Sequence, residues 1–432
     1  MKVAAYPSYS EYKPSGYEWV GDVPAHWSVE KLGTCLTAVS CKGRPDLPLL
    51  SITREEGVIE RDVDDQESNH NFIPDDLSNY KVLKAGQFGM NKMKAWQGSY
   101  GISAHTGIVS PAYFVFDITR EVDPAFFNRA LRSKLYVSYF GAASDGVRIG
   151  QWDLSRTRMR EIPVLLPPLP EQRAIAAFLD EKCAKIDEAV RIKEAQIVLL
   201  RERRQILIQE AVTRGLNPDA PIKDSGIDWI GQIPAHWEVT KLKYAADIFR
   251  GKFTHRPRND PQLYDGAYPF FQTGDVARAG MFLSEFKQTL NEKGLRVSTL
   301  IPKGTILITI AANIGDVAIL GIDGCFPDSV VGFKPKTMVE RDFLYYSMSS
   351  MKRIFLDSSI ANAQANLNVD RIGAIAFCIP PRNEQATIIN YIAIANRKIS
   401  DGITIKQAQI TALKEYKTCL INAAVTGKIK VT

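Results

Sequence analysis

The sequence predicts an α+β protein: two globular bodies joined by two long helices that pair antiparallel as a coiled coil, giving pseudo-two-fold symmetry inside one chain. Three observations carry this expectation. A framework of motifs occurs twice in 432 residues, at an offset of about 210, and such repetition decides an architecture before any local reading does. Each copy ends in a long run whose apolar residues are spaced alternately four and three. Between the repeated motifs lie short β-branched and aromatic runs punctuated by Gly and Pro, with no convincing identity between the two copies.

The framework opens with residues 15–32, SGYEWVGDVPAHWSVEKL, and again with residues 225–242, SGIDWIGQIPAHWEVTKL; eleven of the eighteen positions are identical. One reading makes His26 and His236 catalytic or ligating. The favoured one is an aromatic anchor, built on Trp19, Trp27, Trp229 and Trp237, that packs each body onto its helix, because neither histidine has an acid or nucleophile near it in the sequence. The bodies follow, with strands expected at LPLLSI and YFVFDI in the first and at GTILITI and VAILGI in the second. Helical patterns close each body, FFNRALRSKL and FLYYSMSSMKRIFL.

The framework then resumes at an offset of 213, where LSRTRMREI and LNVDRIGAI share Leu, Arg and Ile. Pro167-Pro168 with Glu171-Gln172 matches Pro380-Pro381 with Glu384-Gln385. Proline pairs cannot sit inside a helix and mark its start. From Glu171 to Thr213 there is neither Pro nor Gly, and Gly215 and Pro218 close the run. The second run carries Gly402, which weakens it locally. The first seam reads Leu179, Cys183, Ile186, Val190, Lys193, Ile197, Leu200, Arg204, Leu207, Ala211, and the second Ile392, Asn396, Ile399, Ile403, Lys406, Ile410, Leu413, Lys417, Leu420, Ala424. Basic residues recur at equivalent seam positions, Lys193 with Lys406 and Arg204 with Lys417, either fixing register with the charge reaching water or lying at the seam edge. A helix of 43 residues extends roughly 64 Å. The expected division is 1–166 first body, 167–215 central helix, 216–379 second body and 380–432 C-terminal helix.

Composition narrows the class. Hydrophobic residues at 45% and charged residues at 24% suit a chain with real cores. Basic residues exceed acidic ones by 54 − 48 = 6, which permits an anionic partner. The opening residues have no signal-peptide pattern, and the most apolar stretch, 301–322, is broken by Lys303, Asn313 and Asp316. A soluble cytoplasmic protein is expected. Cys35 and Cys41 are the nearest pair among six cysteines, and nothing has zinc-ligand spacing, so reduced thiols and no metal are expected. A phosphate-binding GxxxxGK[ST] loop, an N-P-P-Y segment, a G-x-S-x-G elbow and an H-E-x-x-H helix are all missing from the sequence. Catalytic residues are expected to be none.

The candidate binding residues form a basic and amide set. Residues 241–258 hold Lys241, Lys243, Arg250, Lys252, Arg256 and Arg258 against Asp247, with Phe249, Phe253 and Tyr264 interleaved or adjacent. Phosphate neutralisation needs such a cluster; the alternative is a solvated basic face. The first body offers Lys92, Lys94, Trp96 and Gln97 in NKMKAWQGSYG, and Arg148 in SDGVRIGQ. Its acidic stretch, 55–76, should face away from phosphates. Gln272 and Thr273 in FFQTGDV, and Gln364 and Asn366 in ANAQANLN, carry groups suited to base edges; they serve equally as turn formers.

Two diverged bodies, each led by W-x-G-x-x-P-x-x-W and each followed by P-P-x-x-E-Q and a long helix ending in A-V-T, resemble the specificity subunit of type I restriction-modification systems. GIVSPAYFVFDI and FQTGDV are similar to segments of that family's target-recognition domains. The resemblance implies that each body reads one half of an asymmetric bipartite DNA site. It implies helices that set the gap and dock two methyltransferase subunits, with motor-nuclease subunits added. It places S-adenosylmethionine, ATP and Mg in those partners and no cofactor in this chain. A coiled-coil DNA-binding scaffold or repressor is the alternative, and the internal duplication discriminates against it: a homodimer needs one copy per chain.

Overall fold

An early strand of each body zips onto its last strand, which closes the body and hands the chain directly to a helix. In the computed structural model, which describes residues 6–62, 73–146, 152–360 and 367–431, strand Ser28–Lys31 pairs antiparallel with Pro163–Leu166. Glu238–Lys241 pairs in the same way with Ala376–Ile379. Ahead of each lies a hairpin made by the Trp-containing motif, Tyr12–Pro14 on Asp22–Pro24 and Ile222–Asp224 on Gln232–Pro234, in identical register. Trp27 and Trp237 follow these hairpins and are fully buried.

The central sheets have one strand order despite their unrelated sequences. In the first body it is Leu36–Val39, Phe114–Ile118, Phe88–Met90, Tyr100–Ile102, all antiparallel. In the second it is Ala246–Arg250, Val330–Pro335, Ile306–Thr309, Val317–Leu320, with Phe282–Leu283 added in parallel at the edge. The registers correspond as well, Leu36 opposite Ile118 and Ala246 opposite Pro335. Two sets of side chains with little in common thus satisfy the same backbone ladder, because strands buried on both faces, such as Phe88–Met90 and Ile306–Thr309, need apolar residues and not particular ones.

The chain forms two compact units, Met1–Glu194 with Gln407–Thr432, and Ala195–Lys406. The central helix spans Leu169–Arg214 and the C-terminal helix Arg382–Val425. Within the first unit the early part of the central helix runs antiparallel to the late part of the C-terminal one. There Lys417 Nζ lies 2.7 Å from Asp187, Lys193 Nζ donates to Gln409 at 2.8 Å, and Lys414 lies 3.6 Å from Glu194. Partner numbers fall as residue numbers rise. The second unit repeats this with Arg204 donating to Ser400 at 2.8 Å and Leu200 beside Gly402.

The seam side chains cover each other to graded extents. In the first unit Leu179, Ile186, Val190 and Leu420 are buried, and Ile410 and Leu413 half-buried. In the second, Ile197 and Ile392 are buried, and Leu200, Leu207, Ile399 and Ile403 half-buried. Each body's core continues into its helical segments: Trp27, Phe126, Tyr136 and Phe140 pack in one cluster with Leu179, Ile186 and Leu420, and Trp237, Phe333 and Phe343 in another with Ile208 and Ile392. Among the described residues no helix is long and apolar enough to cross a membrane.

Candidate nucleic-acid interface

The repeated motif residues are committed to anchoring. Glu171, three residues into its helix, accepts the Trp27 indole N–H at 3.2 Å and the Tyr9 hydroxyl at 2.5 Å, and lies 2.7 Å from His26 Nε2. Burial, then the Glu171 carboxylate, holds the Tyr9 phenol well above its ordinary range. Glu384 repeats the arrangement, accepting the Trp237 indole at 3.1 Å and lying 2.8 Å from His236 Nε2. The neighbouring glutamines are buried. Gln172 donates to the Pro167 carbonyl and accepts the Asp123 amide, both at 2.8 Å. Gln385 donates to Pro380 at 3.0 Å and accepts the Glu340 amide at 2.7 Å. P-P-x-x-E-Q is therefore a clasp that fixes each body on its helix. The sequence shows no acid near either histidine; the fold supplies one from 145 and 148 residues away. It serves as a structural acceptor.

The basic set of the second body partly converges. Arg250 ends its sheet strand, and its Nε donates to the Asp328 carbonyl at 2.5 Å. Arg258 and Arg256 reach the Asp328 carboxylate at 2.5 and 3.5 Å. Arg250, Arg258 and Asp328 line an open recess of about 240 Å³ with Ile310, Ala311, Ser329, Leu367 and Asn368. Three guanidiniums against one carboxylate leave a local excess of two positive charges. Exposed ion pairs of this kind hold their partners weakly, so a phosphate oxygen can replace Asp328 at little cost. Lys252 is exposed two residues beyond the strand. Gln272 and Thr273 lie elsewhere, at the start of the short helix Thr273–Arg278. There the buried Asp275 accepts the Gln272 backbone N–H at 2.8 Å and Arg278 at 2.5 Å, while the Gln272 amide donates to Gln288 at 3.1 Å.

In the first body, Lys94 and Gln97 sit on the turn between strands Phe88–Met90 and Tyr100–Ile102. They line a cleft of about 850 Å³ with Arg54, Glu55, Glu60 and Arg61. Lys92 is turned away to Asp153, at 2.8 Å. Trp96 stands beside Trp152, ring centroids 5.1 Å apart. Arg148, Gln364 and Asn366 lie outside the described residues. Among the described residues no group of His, Cys, Asp and Glu is placed to hold a metal ion. Sequence reasoning passed over Asp328, which gathers the arginines, and Lys42, Lys81 and Arg156, which the fold brings near one another in the first unit. Their spacing along the chain gives no local signal.

Comparison with known proteins finds similarity to proteins of one kind. The family described as the type I restriction modification DNA specificity domain matches residues 234–417. The chain is 23% identical to the putative type I restriction enzyme MjaX specificity subunit of Methanocaldococcus jannaschii, over 95% of this chain and 96% of the relative. It is 25% identical to the type I restriction enzyme EcoBI specificity subunit of Escherichia coli, over 62% of this chain and 57% of that one. Among solved structures, one from a study of complex assembly and conformational transition of the type I R-M system has a TM-score of 0.70 at 15% identity, covering 93% of this chain and 98% of its own. The HsdS subunit from Thermoanaerobacter tengcongensis has a TM-score of 0.55 at 18% identity, covering 94% and 98%.

Proposed function

The chain belongs to the family of type I restriction-modification specificity subunits, and we propose that its two bodies read the two halves of an asymmetric bipartite DNA site. It is a non-catalytic, DNA-recognising component that associates with the other subunits of such a system. One observation carries the bipartite reading: the two bodies share strand order and register but not sequence. Equal scaffolds with different surfaces are what two unequal half-sites require, since base edges are read by side chains and the scaffold only presents them.

In this reading the paired helices act as the ruler between half-sites and as the docking surface for two methyltransferase subunits, to which motor-nuclease subunits add. S-adenosylmethionine, ATP and Mg belong to those partners. The assembly works on DNA in the cytoplasm. The basic recess around Asp328 supplies phosphate contacts that position the second body, and the Lys94–Gln97 turn supplies groups that reach bases in the first. Co-purification tests the assembly: the chain should form a stable complex with the methyltransferase subunits of its own system and bind duplex DNA selectively only within it. Selective binding by the isolated chain as a homodimer would favour a repressor instead.

A further inference from the structure

The first unit holds a cation cluster drawn from four separate segments. Lys42 and Lys81 face each other across an antiparallel bridge. Lys81 Nζ donates to the Tyr113 carbonyl at 2.6 Å, and the Arg156 guanidinium lies 5.4 Å above the next residue's ring, Phe114. The Lys92 carbonyl accepts the Leu154 amide at 3.1 Å, which brings Lys92 to the strand just before Arg156. Four cations thus gather around residues 113–114, and Asp153 pairs with Lys92. Partial burial, then Lys42, Arg156 and Lys92, push the Lys81 ammonium below its ordinary range. Crowding of like charges around a half-buried ammonium costs free energy in the unbound protein, and an arriving anion removes that cost.

The location matches the arginine cluster of the second unit. Six residues on from the register position Leu36 stands Lys42, and six on from Ala246 stands Lys252. Tyr113 precedes the strand Phe114–Ile118, as Asp328 and Ser329 precede Val330–Pro335. Arg156 follows Ser155, the cap of its short helix; the matching cap, Asn368, lines the recess with Arg250 and Arg258. Two sets of residues, alike only at Lys42 and Lys252, put positive charge at one place in a shared topology.

We propose that Lys42, Lys81 and Arg156 form a phosphate-binding site, the first unit's counterpart of the Arg250–Arg256–Arg258 cluster, that grips the backbone of double-stranded DNA in that unit's half-site. The proposal rests on the DNA-reading function above. Convergent cations from separate segments suit the closely spaced phosphates of a duplex and carry no base information. Lys42 and Arg156 are exposed, so replacing them spares the core.

The test uses the full-length chain, with its methyltransferase subunits, and duplexes of cognate and unrelated sequence. Lys42→Ala with Arg156→Ala should lower the slope of log affinity against log salt by about 1.8, so the wild-type advantage shrinks roughly 12-fold between 50 and 200 mM salt. The loss should be equal on both duplexes. Lys42→Arg with Arg156→Lys should keep the wild-type slope. Adding Lys81→Met to the alanine pair should remove about 0.9 more. A wild-type slope in the alanine pair, or a loss confined to the cognate duplex, overturns the phosphate assignment alone. A wild-type complex that binds neither duplex overturns the DNA-reading function itself.

Discussion

Replacing Glu171 or Glu384 with alanine should loosen the body it clasps, and the two losses should differ by a calculable amount. Both changes strand a fully buried tryptophan indole, on Trp27 or Trp237. A buried donor left without an acceptor costs about 1–3 kcal/mol. The histidine partners are about half exposed, at 48% and 49%, so water replaces much of what they lose. Glu384→Ala should therefore cost about 2 kcal/mol. Glu171 also accepts the half-buried Tyr9 hydroxyl at 2.5 Å, a bond Glu384 lacks among its described partners. A hydrogen bond to a charged acceptor adds about 1 kcal/mol or more, which brings Glu171→Ala to about 3 kcal/mol. The unfolding of a two-unit chain need not be two-state, so local opening is the better observable. Amide exchange in the peptides containing Trp27 and Trp237 should accelerate by roughly 140-fold and 25-fold respectively, at about 1.4 kcal/mol per factor of ten. Glu171→Gln, which keeps an acceptor for Trp27, should recover part of the protection. Accelerations below threefold at both sites would show that the clasp contributes nothing the apolar packing does not already supply, and equal ones would show that the Tyr9 bond adds nothing to it.

Further outcomes follow from other contacts. Gly427 has φ +68 and its added Cβ would stand 2.3 Å from Pro24 Cδ, whereas Gly215, at φ +72, would meet Trp237 at 3.1 Å; alanine should cost about 3 kcal/mol at the first and about 1–2 at the second, read by denaturant unfolding. Arg256→Ala with Arg258→Ala should flatten the salt dependence of DNA affinity by about 1.8, while Asp328→Asn, which frees both guanidiniums, should tighten binding to every duplex. Burial pushes the Cys378 thiol up to about 12 and raises Cys35, Cys183 and Cys325 too, so at pH 8 a thiol reagent should titrate the exposed Cys41 first and Cys419 more slowly; more than two fast thiols would contradict the packing. Inserting four residues after Leu200 adds about 6 Å of helix, and at about 3.4 Å per base pair the unread gap should lengthen by one or two pairs, with the half-site bases unchanged.

The frame was legible because its signals are local or repeated. Pro167-Pro168 and Pro380-Pro381 end the bodies, the four-three apolar spacing needs a helix, and the duplicated Trp motif announces two equivalent units. The shared strand order was not legible: Phe114–Ile118 and Val330–Pro335 hold the same place with no residue pattern in common beyond being apolar. The role of Glu171 and Glu384 was hidden for a different reason, since their partners His26 and His236 lie 145 and 148 residues away. A run of basic residues such as 241–258 stands out by proximity in sequence, yet Arg250, Arg256 and Arg258 turn to one aspartate 70 or more residues on, while Lys252 is not among the residues lining that recess. Lys42, Lys81, Lys92 and Arg156 have no such proximity. Only the identity of Lys42 and Lys252 at the repeat offset of 210 hinted that this place matters. Gln272 illustrates the converse: an amide suited to adenine is already bonded to Gln288.

Mapping modified bases by single-molecule sequencing, in cells that carry this chain with the methyltransferase subunits proposed as its partners and no other modifying system, addresses the two-body reading of DNA without any assumption about contact residues. Two bodies of one topology and different surfaces should yield a single motif made of two unlike half-sites separated by a fixed run of unread bases. A perfect palindrome, or one uninterrupted recognition sequence, would contradict it.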